Sequence, residues 1–478
     1  MNYRIILYTL GCVLNIEAIA MCLPLICALI YGEAQVWAFL ISICICLAFG
    51  LPLTIWNSKN KAMYAREGFT AVALSWIVMS IFGSLPFVIS GSIPNFINAL
   101  FETVSGFTTT GASILSDVEI LPKSIIFWRS FTHWIGGMGV LVFIVAVLPL
   151  SGGSNMYLVK AESPGPSVSK LVPKVKSTAK ILYGIYIFLT IAEIVLLLLG
   201  GMSIFDSLTL SFGTAGTGGF GILNSGAETY TPYIQWIITI FMILFGIDFS
   251  VYYLILVRNF KAAFRSDEVK AYLGIILLSV ILITLNCRGL FDTITDAIRN
   301  VAFTVSSIIT TTGYATVDFD KWNEFSKAIL FGLMFIGACA GSTGGGMKVS
   351  RIIILLKSIV KEIKIAAHPR STHKLTMNGR LIEHETVRAV NVYFVSFFVI
   401  YAASFFIVSL NNYDFTTNFT AVAATINNIG PGFKMVGPTQ NFGFFNPLSK
   451  IVFIMDMLIG RLEIFPMLVL FSRYTWKR

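Results

Sequence analysis

Four short stretches decide the reading of this chain: Thr108-Thr109-Thr110-Gly111-Ala112, Gly216-Thr217-Gly218-Gly219-Phe220, Thr310-Thr311-Thr312-Gly313-Tyr314 and Asn427-Asn428-Ile429-Gly430-Pro431. Each is a Gly/Thr-rich loop with a helix-length apolar run on either side. Gly111, Gly219, Gly313 and Gly430 recur roughly a hundred residues apart. The first and third units align without gaps: Asn98 with Asn300, Phe101 with Phe303, Ser105 with Ser307, and Thr109, Thr110 and Gly111 with Thr311, Thr312 and Gly313. Non-helical backbone at membrane depth is tolerated only inside protein or along a water-filled path. Four such loops around one axis would form a ring of backbone oxygens able to replace the hydration shell of a cation. The pattern implies a pore for a monovalent cation. Four unrelated Gly/Thr turns are the bland alternative, and near-equal spacing of all four argues against it.

The 478 residues are 56% hydrophobic and 12% charged, with a mean hydropathy of +0.80. A soluble domain carries about a quarter charged residues, so the chain is a polytopic membrane protein. A helical span needs roughly 20 apolar residues. Ten stretches qualify: 5–30, 36–56, 69–90, 124–149, 181–201, 233–257, 271–287, 326–357, 389–410 and 447–472. The first is too long for a signal peptide, lacks a small-residue cleavage site and carries Asn15 and Glu17, so it is expected to be a retained helix. The net charge of +10 reads as topology, not as nucleic-acid binding. Basic residues gather at Arg4, at Lys59, Lys61 and Arg66, at Lys160, Lys170, Lys174, Lys176 and Lys180, at Arg258, Lys261, Arg265 and Lys270, between Lys357 and Arg388, and at Arg473, Lys477 and Arg478. The intervening connections carry Glu33, Asp117, Glu119, Glu228, Asp318 and Asp320. Both termini are therefore expected in the cytoplasm, with all four loops dipping in from outside. The seven cysteines show no CxxC pair and read as buried packing.

The expected architecture is all-α: an N-terminal two-helix hairpin (1–60), then four pseudo-symmetric repeats of span, pore helix, filter loop and span (61–155, 156–262, 263–375 and 376–478). The re-entrant helices are expected to begin at Pro94-Asn95, Asp206, Asp292 or Asp296, and Asp414, residues that cap a helix and complement its positive end. The opposite, negative ends would then point at the pore centre. The expected filter comprises Thr109, Thr110 and Gly111; Thr217, Gly218 and Gly219; Thr311, Thr312 and Gly313; and Asn428, Ile429 and Gly430. Glycine supplies the positive φ that turns carbonyls to one axis. The loops differ, so the ring is only pseudo-fourfold.

Two further features stand out. Gly337-Ala338-Cys339-Ala340-Gly341-Ser342-Thr343-Gly344-Gly345-Gly346 cannot hold a helix, since each Gly costs about 1 kcal/mol. It is expected to be unwound within the membrane, on the cytoplasmic side of the loops. It fails as a phosphate loop because Lys348 is one residue late, no Ser/Thr follows directly and no strand precedes it; a helix-packing contact is the bland reading. Arg461 lies too deep to snorkel, and an intramembrane charge is a functional candidate. Its alternative is a structural pair with Glu463 or Asp456. Arg129 and His133 read as packing or hydrogen-bonding residues.

The chain resembles the Trk/Ktr/HKT superfamily of potassium transporters, with the membrane subunit of bacterial Trk-type systems the nearest branch. The resemblance rests on Gly106-Phe107-Thr108-Thr109-Thr110-Gly111-Ala112, His133-Trp134-Ile135-Gly136-Gly137-Met138-Gly139, Thr310-Thr311-Thr312-Gly313-Tyr314, Asn428-Ile429-Gly430-Pro431-Gly432-Phe433 and Gly460-Arg461-Leu462-Glu463. It implies K⁺ uptake across a bacterial inner membrane, a homodimer, and a cytoplasmic NAD- or ATP-responsive nucleotide-binding subunit as regulator. It also implies that Gly341, Ser342, Thr343, Gly344, Gly345 and Gly346, with Lys348 and Arg461, form an intramembrane gate. No covalently bound cofactor is expected; K⁺ is cargo. A membrane enzyme is disfavoured, because the four histidines (133, 368, 373, 384) show no metal-ligand spacing. A Na⁺- or H⁺-coupled symporter is the alternative, and repeats sharing one orientation argue for a channel-like path over inverted repeats.

Overall fold

In lipid a backbone has to satisfy its own polar groups, so long apolar runs become helices. The structure is a computed structural model describing residues 1–55, 65–137, 139, 175–369 and 373–476. Six helices within it are long and apolar enough to cross a membrane, and a bent pair makes a seventh. The six correspond to the expected stretches at 5–30, 36–56, 69–90, 181–201, 271–287 and 389–410. The first runs from Tyr3 to Tyr31 with a slight interruption at Met21. It packs antiparallel on Val36–Ile55. The two approach at Gly11 and Gly50: a Cβ on Gly11 would lie 2.8 Å from the Gly50 carbonyl oxygen. Small residues at such crossings allow close van der Waals packing between helices in lipid.

Each of the four units supplies a first helix and then a shorter, more buried helix ending at a Gly/Thr loop. The short helices are Phe96–Phe107, Ile204–Gly216, Ile294–Ile309 and Phe415–Ile426. Their caps match expectation in two units. The Asn95 side chain accepts from Asn98 N at 3.1 Å, and Asp414 from Thr417 N at 2.9 Å. In the other two the cap is Ser203, accepting from Asp206 N at 3.1 Å, and Thr293, accepting from Asp296 N at 3.1 Å. Asp206 and Asp296 sit in the first turn instead, and Asp292 is not the cap. The sequences Ser203-x-x-Asp206 and Thr293-x-x-Asp296 have capping-box spacing, with the hydroxyl at the cap and the acid three residues on.

The second helices depart further from expectation. Where 233–257 reads as one span, Pro232–Phe245 and Phe249–Leu256 meet at 89°. Gly246 ends the first, and the Asp248 side chain caps the second by accepting from Ser250 N at 2.9 Å. The stretch 326–357 is interrupted as expected, between Glu324–Ile336 and Val349–Ala367. The stretch 447–472 also breaks, between Pro447–Arg461 and Ile464–Phe471, with Glu463 at φ 59°. In the first unit Lys123–Gly137 is helical. Apart from Gly139, the remainder of the expected span 124–149 lies outside the described residues, as do Lys59, Lys61, Lys160, Lys170, Lys174, Lys477 and Arg478 and the side chain of Lys176. At the start of the fourth unit a two-stranded hairpin pairs Thr376–Met377 with Arg380–Leu381 around Asn378-Gly379.

Replacing Thr293 with Ala should cost about 1 kcal/mol through loss of the cap. Thermal denaturation of detergent-solubilised protein, read by size exclusion, should show a lowered midpoint for T293A and a nearly parental one for T293S.

Candidate functional site: a ring of four loops above an unwound segment

Every short helix ends in the same way. The residue after the last turn is left-handed: Thr109 at φ 54°, Thr217 at 56°, Thr311 at 61° and Asn428 at 55°. Its N–H bonds three residues back, at 3.1, 3.0, 3.1 and 3.2 Å, to Gly106, Thr214, Ile308 and Thr425. The next N–H reaches five residues back: Thr110 to Ser105 at 2.9 Å, Gly218 to Gly213 at 2.8 Å, Thr312 to Ser307 at 2.8 Å, and Ile429 to Ala424 at 2.9 Å. This is the Schellman helix terminus, four times over. Glycine usually occupies the left-handed position; here three β-branched threonines and an asparagine do, a strained choice of the kind that clusters at functional sites. Two residues on, Gly111, Gly219, Gly313 and Gly430 are again at positive φ, between 73° and 93°.

The consequence is a separation of donors from acceptors. The loop N–H groups turn back onto their own helices. Among the described residues, no hydrogen bond reaches the carbonyl oxygens of Thr109–Gly111, Thr217–Gly219, Thr311–Gly313 or Asn428–Gly430. The loops also close on one another in chain order. A Cβ on Gly111 would meet the Gly218 carbonyl oxygen, one on Gly219 the Thr312 oxygen, and one on Gly313 the Ile429 oxygen. One on Gly430 would meet the Thr110 oxygen at 2.8 Å, which completes the circle. All twelve residues expected from the sequence are thus brought together. Units one and three match in side chains too: Thr108 Oγ1 to Thr110 Oγ1 and Thr310 Oγ1 to Thr312 Oγ1 are both 2.8 Å. A cavity of about 660 Å³ opens above the ring, bordered by all four glycines and by Arg129, Glu228, Asp318 and Lys321. At its rim the Asn224 side chain donates to Asp117 at 2.7 Å, which holds that carboxyl below the usual range.

Cross-links between units hold the ring. The Arg129 guanidinium bonds Glu102 at 2.6 Å and the Gly221 carbonyl at 2.9 Å, and it lies 3.5 Å over the Phe220 ring. His133 Nε2 accepts from Phe220 N at 3.3 Å, which makes Nδ1 the donor to Gly106 O at 2.8 Å. Asn428 Nδ2 donates to Thr110 Oγ1 and to Met457 O, both at 2.9 Å. Tyr314 OH donates to Leu210 O at 3.1 Å.

Beneath the ring lies the unwound segment. Gly345 N donates to Thr311 Oγ1 at 2.6 Å and Gly346 N to Asn427 O at 3.0 Å, so it touches two loops directly. Thr343 is buried and donates to Phe245 O at 3.2 Å, where the second unit bends. Arg461 Nη1 donates to Thr343 O and Nη2 to Gly136 O, both at 2.8 Å, strapping the segment to the first unit. Lys348, also buried, donates from Nζ to Gly344 O. Gly341 O accepts from Phe249 N at 3.1 Å, and Ser342 Oγ closes a local turn onto Cys339 O at 2.6 Å. The two acids weighed as partners for Arg461 have other contacts as well. Glu463 pairs with Arg351 at 2.5 Å, and Asp456 accepts from Ser404 at 2.6 Å. Glu268 is a residue the sequence reading missed: Oε1 accepts from Ala340 N at 2.6 Å and Ser350 N at 3.0 Å, clamping both ends of the segment. Coming directly after Ser266-Asp267, it looks in sequence like an ordinary acid of a helix start.

A family profile described as a cation transport protein, TrkH, matches residues 35–476. The chain belongs to the TrkH family. It is 36% identical over 485 residues to the Trk system potassium uptake protein TrkH of Salmonella typhimurium, covering 100% of both chains. It is 34% identical to TrkG of Escherichia coli, covering 100% of this chain and 99% of the relative. The crystal structure of the potassium transporter TrkH from Vibrio parahaemolyticus superposes with a TM-score of 0.89 at 32% identity, again over 100% of both chains. The family is one of transporters, not enzymes.

Removing Glu102 leaves the buried Arg129 charge unpaired, a loss of roughly 3–5 kcal/mol. E102A should therefore give little monodisperse protein on size exclusion. E102Q, which keeps an acceptor for Arg129, should recover more.

Proposed function

We propose that the four-loop ring is the selectivity filter of a K⁺-uptake pore in a bacterial inner membrane, and that the segment 341–346 beneath it is its gate. The observation that carries this reading is the set of triplet carbonyls that no donor among the described residues reaches, around a ring closed in chain order. A buried carbonyl without a partner is costly. A monovalent cation stripped of water supplies what these oxygens lack, while the four negative helix ends favour positive charge nearby. That the relatives are potassium uptake proteins supports K⁺ as cargo. The middle residues Thr110, Gly218, Thr312 and Ile429 differ in side chain, so discrimination should be looser than in a fourfold-identical ring. The repeat boundaries 61–155, 156–262, 263–375 and 376–478, after a hairpin at 1–60, divide this pore into its four quarters. The alternating basic connections support cytoplasmic termini. Under this reading the chain works as a homodimer with a cytoplasmic nucleotide-binding subunit of the Trk type, whose binding is transmitted to the gate.

A side chain at Gly111 or Gly313 must adopt a left-handed φ against a neighbouring carbonyl, a strain of roughly 1–3 kcal/mol. G111S and G313S should each reduce growth of a K⁺-uptake-deficient host on low K⁺, or raise the sodium-to-rubidium flux ratio in liposomes. Parental growth and flux with both substitutions would remove the loops from the filter.

Arg461 acts on the gate in two ways that add. It bonds Thr343 O directly, and its charge opposes a passing cation by roughly 3 kcal/mol at several ångströms and an effective dielectric constant of about 20. R461A should therefore raise rubidium flux about tenfold or more, since screening leaves part of that barrier. A well-folded protein with unaltered flux would overturn the assignment.

A further inference from the structure

The helix Val349–Ala367, which leaves the gate segment, carries two adjoining stripes. Leu356, Ile359, Val360 and Ile363 are all at least half exposed. Beside them Lys357, Lys361 and Lys364 follow at one-turn spacing and face the hairpin region. Together with His373 and Lys374 they line a cavity of about 310 Å³. Among the described residues, no carboxylate pairs with Lys361, Lys364 or Lys374. Lysines bordering an exposed apolar row, on a helix continuous with a membrane protein's interior, match the boundary between lipid headgroups and acyl chains.

The cavity is also wired to the gate. Lys357 Nζ donates to Thr376 O at 2.8 Å and lies 3.4 Å from Asp267 Oδ2. Asp267 is tied to the hairpin in both directions: its N–H donates to Asn378 Oδ1 at 2.7 Å, and Oδ2 accepts from Asn378 N at 3.0 Å. The next residue is Glu268, whose carboxylate clamps Ala340 and Ser350 at the two ends of the gate segment. An anion that draws Lys357 into the cavity competes with Asp267 for the same ammonium group.

We propose that this cavity binds the phosphate headgroup of an anionic phospholipid, and that binding is coupled through Lys357 and Asp267 to the Glu268 clamp on the gate. Its second half rests on the gating function proposed above. The lysines hold the phosphate while the apolar row lies along the acyl chains. A soluble acidic partner would leave that row uncovered.

The test uses the full chain with K361Q and K364Q combined, both residues lying away from filter and gate. Retention of phosphatidylglycerol against phosphatidylethanolamine is read by native mass spectrometry. Rubidium flux is read in phosphatidylethanolamine vesicles with and without phosphatidylglycerol. Each lysine near an anionic headgroup contributes about fivefold in affinity, so the double variant should retain the anionic lipid on the order of twentyfold more weakly. Its flux in phosphatidylethanolamine alone should equal the parent's, and the response to phosphatidylglycerol should vanish. K361R with K364R should restore both readouts. Unchanged retention overturns the site. Lost retention with an intact flux response overturns the coupling. If inorganic phosphate trapped in the vesicles reproduces the response, the site takes a soluble anion and the lipid assignment fails. Because retention is measured apart from flux, an inactive pore and an absent lipid site give different results.

Discussion

Everything at the centre of this molecule follows from how four helices end. A helix that stops inside a membrane strands its last carbonyls, and no water is present to bond them. Here the terminus folds two N–H groups back onto each helix, and this requires a left-handed residue at Thr109, Thr217, Thr311 or Asn428. Spending those donors inward leaves the following carbonyls with no hydrogen-bond partner among the described residues. The strain and the orphaned oxygens are two faces of one geometry, repeated four times.

That geometry would not stand on a single unit. The glycine of each loop admits the carbonyl of the next, so the ring is self-limiting: a bulkier residue anywhere pushes two loops apart. Cross-links from Arg129, His133, Tyr314 and Asn428 then hold adjacent units in register. The same logic extends below the ring. The second helices of units two, three and four all break, and the breaks of units two and three meet through Cys339 N to Gly246 O at 3.1 Å and Phe249 N to Gly341 O at 3.1 Å. Irregular backbone is tolerated there because each irregular piece bonds another. A segment held by bonds from several different units is one whose position several units can bias.

Buried charge is handled by pairing or by carbonyls. Arg129 faces Glu102, and Arg351 faces Glu463 while stacking 3.9 Å from the Tyr393 ring. Lys348 and Arg461 donate to carbonyls of the unwound segment and its neighbours. The paired charges stabilise the scaffold, whereas the bonds from Lys348 and Arg461 tie the unwound segment to its neighbours.

By itself the sequence determined the class of the protein. Composition required a membrane protein, the apolar runs located its long helices, and three recurring Gly/Thr triplets, a fourth at Asn428-Ile429-Gly430 and one run of small residues marked where helix could not continue. These are local properties, set by hydropathy and by the backbone preferences of glycine. The hydroxyl caps Ser203 and Thr293 were legible as well, in the capping-box spacing, although the nearby acids drew the reading to themselves. The tertiary structure decided what depends on distant partners. The left-handed threonines contradict their own propensity and persist because the ring holds them. The breaks at Gly246–Asp248 and at Glu463 interrupt stretches whose hydropathy is continuous. Arg351, 112 residues away in the chain, pairs with Glu463, and Arg461 reaches carbonyls of two distant units. Glu268 became a clamp only when the unwound segment was folded against it. Spacing along a chain reports which residues can share a helix face, but a polar group buried in lipid bonds whichever donor or acceptor the packing brings within reach, and that choice is made in three dimensions.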